Sequence, residues 1–175
     1  MKTLLFTLSL LAMTMTKAQS FDQSKIIFEG RITELFFDRP TEKSLYQATV
    51  EVWSNDQLLN QWKSNKQGRF RIETPYRGTY TVVFKKEGYI TKSIQVDASN
   101  LKNEELALQV LVQADMILFQ ESEGLDFSFL QNKPVAKATI GKRNHATKWD
   151  DKYNELIQEQ IQSELKKLAN NEASL

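Results

Sequence analysis

The sequence predicts a mainly β protein: a seven-stranded β-sandwich followed by a C-terminal amphipathic α-helix. Three observations carry that expectation. GRFRI at 68–72 and GTYTVVF at 78–84 alternate apolar and polar residues, and each run opens on a glycine. Period-two alternation between turn residues marks half-buried antiparallel strands. Further short runs of this kind recur along 26–111, and one open sheet built from them would leave an apolar face wet, so two packed sheets are expected. Lastly, Trp149, Tyr153, Leu156, Ile157, Ile161, Leu165 and Leu168 recur at three- and four-residue spacing, the period of one helix face.

In chain order, 1–18 reads as a signal peptide. Lys2 is followed by an apolar run at 4–13, too short to span a bilayer, and Thr16 and Ala18 stand at the −3 and −1 positions for cleavage before Gln19. Strand 1 is expected over 26–33, with Gly30 marking a bulge or close packing. Residues 35–44 read as a surface loop around Pro40. Strand 2 covers 46–53, and strand 3, more polar and at an edge, covers 58–64. Gly68 supplies the turn before strand 4 (69–74), which is expected to form a hairpin with strand 5 (79–85) around PYRG at 75–78. Strand 6 covers 89–96, with Ile90, Lys92, Ile94 and Val96 on one face and Lys92 placed near its exposed end. Strand 7 is expected over 105–111. Phe70, Ile72, Tyr80, Val82 and Phe84 should face a common core.

Residues 112–148 read as a linker with short strands around 116–120, 127–130 and 134–140. The helix then runs over 149–170, with Asp150 as N-cap and Lys166 and Lys167 near its end. Its apolar stripe must be buried, on its own sandwich or on a partner. Because 26–111 supplies a complete strand set, the stripe of Tyr153, Leu156, Ile157, Ile161, Leu165 and Leu168 is expected to be free as a docking element.

Several classes of function are disfavoured by composition. Loss of 1–18 removes Lys2 and Lys17, leaving 21 basic against 22 acidic residues and a formal net charge of −1. A field that small does not steer a protein to nucleic acid or anionic lipid. The absence of cysteine removes a disulfide framework, a thiolate metal site, a catalytic thiol and a lipoprotein anchor. His145 is the one histidine and lacks a second for a metal pair, so no catalytic, cofactor-binding or metal residue is expected, and the chain reads as no enzyme. Glu121, Glu123 and Asp126 read as a solvated acidic loop rather than a calcium site. Trp53 and Trp62 flank the 54–57 turn; they form the one pairing able to stack on a sugar ring, although cross-strand packing accounts for them as well.

Gly30, the Ala48–Val50 run, GRF at 68–70, GTY at 78–80 and GY at 88–89 resemble the pattern of carboxypeptidase regulatory-like domains. The resemblance covers about half the chain, roughly 26–111, and implies a transthyretin-like (prealbumin-like) seven-stranded sandwich. Such domains flank peptidases or precede outer-membrane barrels in related proteins. Tyr76 to Thr79 resembles part of the terminal motif of hydroxyisourate hydrolases, but it lies mid-chain without that family's histidines. Intradiol dioxygenases, also sandwiches, need two histidines and two tyrosines for iron, so the one histidine here is expected to exclude that site. The KAQ end of the signal and the PVAK…WD arrangement are similar to those of Bacteroidetes cell-envelope proteins. Together these imply an exported β-sandwich interaction module or accessory subunit, periplasmic and peripheral at the outer membrane, with an envelope protein as partner and no membrane span after cleavage. The alternative is a periplasmic or surface carbohydrate-binding module.

Overall fold

The computed structural model describes residues 25–36, 39–75, 78–101, 109–122 and 124–172. The expected signal peptide at 1–18 lies outside these residues, as do Tyr76, Arg77, Glu123 and the side chain of Leu168. The elements are β1 (Lys25–Phe36), β2 (Arg39–Ser44), β3 (Thr49–Ser54), β4 (Gln57–Lys63), β5 (Arg69–Pro75), β6 (Thr79–Lys85), β7 (Lys92–Asp97), β8 (Gln109–Gln113), β9 (Met116–Leu118), β10 (Ala136–Ile140), β11 (Thr147–Trp149) and α1 (Asp151–Glu172). Among the described residues one 3-10 turn, Ser128–Gln131, precedes β10. The class is as expected, mainly β in two sheets with one C-terminal helix, but the strands outnumber the seven predicted.

β1 organises the first sheet. Its N-terminal half pairs antiparallel with β5 and parallel with β8, and its C-terminal half pairs antiparallel with β2 and parallel with β9. Gly30 sits where β8 gives way to β9. A Cβ there would lie 2.3 Å from the Ala114 carbonyl oxygen, so only glycine admits the approach. The Ala114 N–H donates to the Glu29 carbonyl, and the Arg31 N–H donates to Asp115 Oδ1 at 2.8 Å, which satisfies the backbone across that step. The second sheet runs β11-β10-β7-β6-β3-β4, with β10 parallel to β7 and β4 at the far edge, where the sequence put it.

Phe70, Ile72, Tyr80, Val82 and Phe84 are all buried in one core, as the alternation predicted, with Ile26, Phe28, Val50, Val52, Ile94 and Val96. Aromatic edges meet faces across it: Phe28 and Tyr80 centroids are 5.9 Å apart, and those of Phe70 and Phe84 are 5.5 Å apart. Burial of the Tyr80 ring raises its pKa, and its hydroxyl donates to the Pro75 carbonyl at 2.6 Å.

Four expectations are corrected. β5 and β6 form no hairpin: β5 pairs with β1 and β6 with β3 and β7, so the chain crosses between sheets after Pro75. The 35–44 stretch is no simple loop, since β2 closes onto β1. Residues 112–148 are no linker, because β9, β10 and β11 complete both sheets and Phe127, Leu130 and Val135 enter the core. The helix stripe is not free either. Ile157 and Ile161 are buried in the same core, with Tyr153, Leu165 and Trp149 packed beside them, while Leu156 is exposed.

Local bonds explain that docking of the helix onto its own domain. Asp150 Oδ1 accepts from the Tyr153 N–H at 3.1 Å, the N-cap the sequence announces. Asn154 Oδ1 accepts from the Lys137 N–H of β10, the Asp150 N–H donates to the Lys137 carbonyl, and the Tyr153 hydroxyl donates to the Pro134 carbonyl at 2.9 Å. The first turns of α1 are therefore stitched to β10, and the stripe descends onto the strands beyond it.

Candidate functional site

Two concave sites stand out, one on the wet flank of the first sheet and one beneath the helix. The first is a groove of about 610 Å³. Its floor follows from register: Glu29 lies opposite Arg71, and Arg31 opposite Arg69. Alternation turns these side chains away from the core that holds Phe28, Phe70 and Ile72. Trp62 of β4 closes one side and Asp115 contributes to the other. Trp62 is 55% exposed, the most exposed of the large apolar side chains described.

The groove's charges are unequally engaged. Arg71 pairs with Glu29. Arg31 donates through Nε to the Gln67 carbonyl at 3.2 Å and through Nη2 to Ser44 Oγ at 2.5 Å. Arg69 alone of the three has no side-chain partner among the described residues. A half-exposed indole beside an unpaired guanidinium is a surface suited to a carboxylate-bearing partner, since guanidinium grips carboxylates in bidentate fashion and Trp and Arg dominate binding hot spots.

The sugar-stacking pair is not assembled. Trp62 lies opposite Val50, on the side of the second sheet that faces the first; Trp53 lies opposite Thr81, on the outer side. Trp53 Nε1 donates to Glu51 Oε2 at 3.1 Å, and the ring lines a separate shallow depression with Thr79, Thr81 and Gln95. The two indoles therefore present no common platform.

The second site is a cleft of about 450 Å³ between α1 and the strands of the sandwich. Lys92, expected near an exposed strand end, is 5% exposed on its floor. Its Nζ donates to the Ile117 carbonyl at 2.6 Å and sits 3.4 Å from the centroid of the Phe119 ring. Burial lowers its pKa to about 7. Its burial was legible in the sequence: the Ile90-Lys92-Ile94-Val96 alternation puts it on the inner face. Nothing in that alternation announces the helix that roofs it.

No protein-family model and no curated protein matches this sequence. Among solved structures it is similar to 3-chlorocatechol 1,2-dioxygenase from Rhodococcus opacus 1CP, with 16% identity, 55% of this chain and 60% of that chain covered, and a TM-score of 0.35. It is similar to GBS52, the minor pilin of Streptococcus agalactiae, with 13% identity, 57% and 46% covered, and a TM-score of 0.38. A Bacteroides fragilis protein of unknown function described as membrane-associated shows 18% identity, 58% and 30% covered, and a TM-score of 0.35. This chain spans under two thirds of the length of each of these structures. The likeness is one of fold alone, a β-sandwich that pilins carry. Chlorocatechol dioxygenases stand among these similar structures, and the sequence-based expectation that the chain is no enzyme is withdrawn. Among the described residues, no helix is long and apolar enough to cross a membrane.

Proposed function

We propose that this chain is an exported interaction module of the cell envelope, in which the β-sandwich holds a protein partner at the Trp62 groove. The signal-like pattern at 1–18 supports export, and the observation that carries the reading is the exposed indole beside the unpaired Arg69. The partner chemistry follows from the groove: an extended segment with a carboxylate to meet Arg69 and an apolar residue to lie on Trp62. The helix gives up the docking role expected of it, since Ile157 and Ile161 are spent on the domain's own core.

The test replaces Trp62 with a photo-crosslinking amino acid in the native host. A discrete protein adduct in the envelope fraction is expected, lost in Arg69→Glu and competed by an acidic peptide but not by a basic one. No adduct, or an adduct indifferent to Arg69→Glu in a protein that still melts like wild type, overturns the reading. Retention on a glycan array that disappears in Trp62→Ala would favour the carbohydrate-binding alternative instead.

A further inference from the structure

We propose that the cleft beneath α1 binds a small apolar carboxylate, with Lys92 holding the carboxylate and the helix-roofed walls holding the hydrocarbon. The site adjoins the Trp62 groove at Gln113 and Asp115, but its own cation and apolar walls lie outside that groove, and the inference stands without it. Its volume falls within the range of about 300–1,000 Å³ usual for small-molecule sites. Ile94 and Val135 line the strand side, Met116 and Phe119 one wall, and Ile161 and Leu165 the roof. That part of the lining is suited to an alkyl or aryl body.

The charge of the ligand follows from the one cation present. Among the described lining residues Lys92 is the sole cation and Asp115 the sole carboxylate, and Asp115 Oδ1 already accepts from the Arg31 N–H. A lysine ammonium has three donors. One reaches the Ile117 carbonyl, and the charge rests against the Phe119 ring. No carboxylate forms an ion pair with Lys92 among the described residues. A buried ammonium without a counter-ion is costly, and a ligand carboxylate offsets that cost while filling the remaining donor positions. One cation matches one negative charge; a phosphate would bring more charge than the site can meet. The amides of Gln113, Asn154, Gln158 and Gln162 also line the cleft and complete a polar rim.

Burial holds the Lys92 pKa at about 7, so at pH 8 much of it is neutral, and carboxylate binding should draw a proton onto the amine. Isothermal titration calorimetry of the full mature chain with dodecanoate, below its micellar concentration, tests this. Saturable one-to-one binding is expected, at least about tenfold tighter than for dodecanol, as a charge-assisted hydrogen bond implies. Lys92→Met should bring dodecanoate down to the alcohol's affinity. Titration at pH 8 in two buffers of different ionisation enthalpy should show net proton uptake that vanishes in Lys92→Met. Gln158→Trp, at the exposed rim, should weaken both ligands while leaving the thermal melt unchanged. Equal affinity for dodecanoate and dodecanol, unaltered dodecanoate binding in Lys92→Met, or no binding by a folded wild type overturns the proposal.

Discussion

The Trp62 groove and the cleft beneath α1 place cations in opposite surroundings. In the groove, Arg31, Arg69 and Arg71 lie on the outer face of an antiparallel pair, beside water, and two of the three are tied by hydrogen bonds or an ion pair. In the cleft, Lys92 lies on the inner face of β7 among apolar side chains, with a carbonyl and an aromatic ring as its described partners. The same alternation produces both outcomes, because each residue's parity on its strand decides which side of the sheet receives it. A surface charge is worth little to stability and much to recognition. A buried charge is the reverse: it costs stability until something pairs it. The groove is therefore expected to tolerate substitution without unfolding, whereas changes in and above the cleft should be felt by the whole domain.

The largest effect should come from the cleft's roof. Ile161 is 2% exposed and Ile157 fully buried, so Ile161→Asp puts an unpaired carboxylate into the core. A loss of at least about 4 kcal/mol is expected, enough to unfold a marginal domain. Truncation after Lys148 should act in the same direction, since it removes both isoleucines and the Tyr153 and Asn154 bonds to the β10 segment. Urea melts followed by far-UV circular dichroism measure both. A truncated chain with the wild-type midpoint would mean that the helix is an appendage and that the cleft has no structural roof.

How much of this was readable beforehand varied with strand length. The β5 and β6 runs were legible because seven residues carry three full alternations, enough to fix which side chains go inward; the helix was legible because its stripe spans five turns. Their partners were not. Nothing in the turn chemistry at 75–78 distinguishes a hairpin from a crossing between sheets, and glycine and proline favour both. Within 112–148 the sequence does place short strands around 116–120 and 134–140, where β9 and β10 stand, but nothing in runs that short ties them to a sheet, and β11, at three residues, carries no period at all. With those strands assigned outside the sandwich, 26–111 reads as a complete set and the helix reads as free. The cleft's walls come from β9, β10 and α1 together, a meeting that no single period announces, and Trp62 is visible in the sequence while its place in one groove with Arg69 is not.

The next effect is a dependence on pH. In the folded protein the Lys92 pKa stands at about 7, and an unfolded lysine titrates near 10.4. As pH rises through 7 the native state releases this proton first, so between about 7 and 10.4 the unfolded state holds more protons and stability rises with pH. Below 7 both states are protonated and the full burial penalty stands. Lys92→Met removes the penalty. It should stabilise the protein at pH 6 by an amount on the order of a few kcal/mol, and this advantage should shrink toward pH 10. Urea midpoints at pH 6 and pH 9.5 read the difference directly. An advantage that is the same at both values would show that Lys92 is solvated in the folded state and would erase the contrast with the arginines.

The smallest effect should come from the groove, and here two neighbouring aromatic residues sharpen the comparison. Phe70 and Trp62 both border the groove, but Phe70 is 3% exposed and stacks edge-on with Phe84, whereas Trp62 is 55% exposed on an edge strand. Phe70→Ala should cost about 3–5 kcal/mol, as removal of a buried aromatic does. Trp62→Ala should cost under about 1 kcal/mol, and Arg69→Ala should stay within about 0.5 kcal/mol, because no described partner is lost with it. Chemical denaturation of the three variants under one buffer condition makes the comparison. If Trp62→Ala costs as much as Phe70→Ala, the indole is holding β4 against β5 and its exposure reflects packing at a sheet edge. If it costs little, the indole contributes almost nothing to the fold it stands on, as expected of a residue that meets a partner.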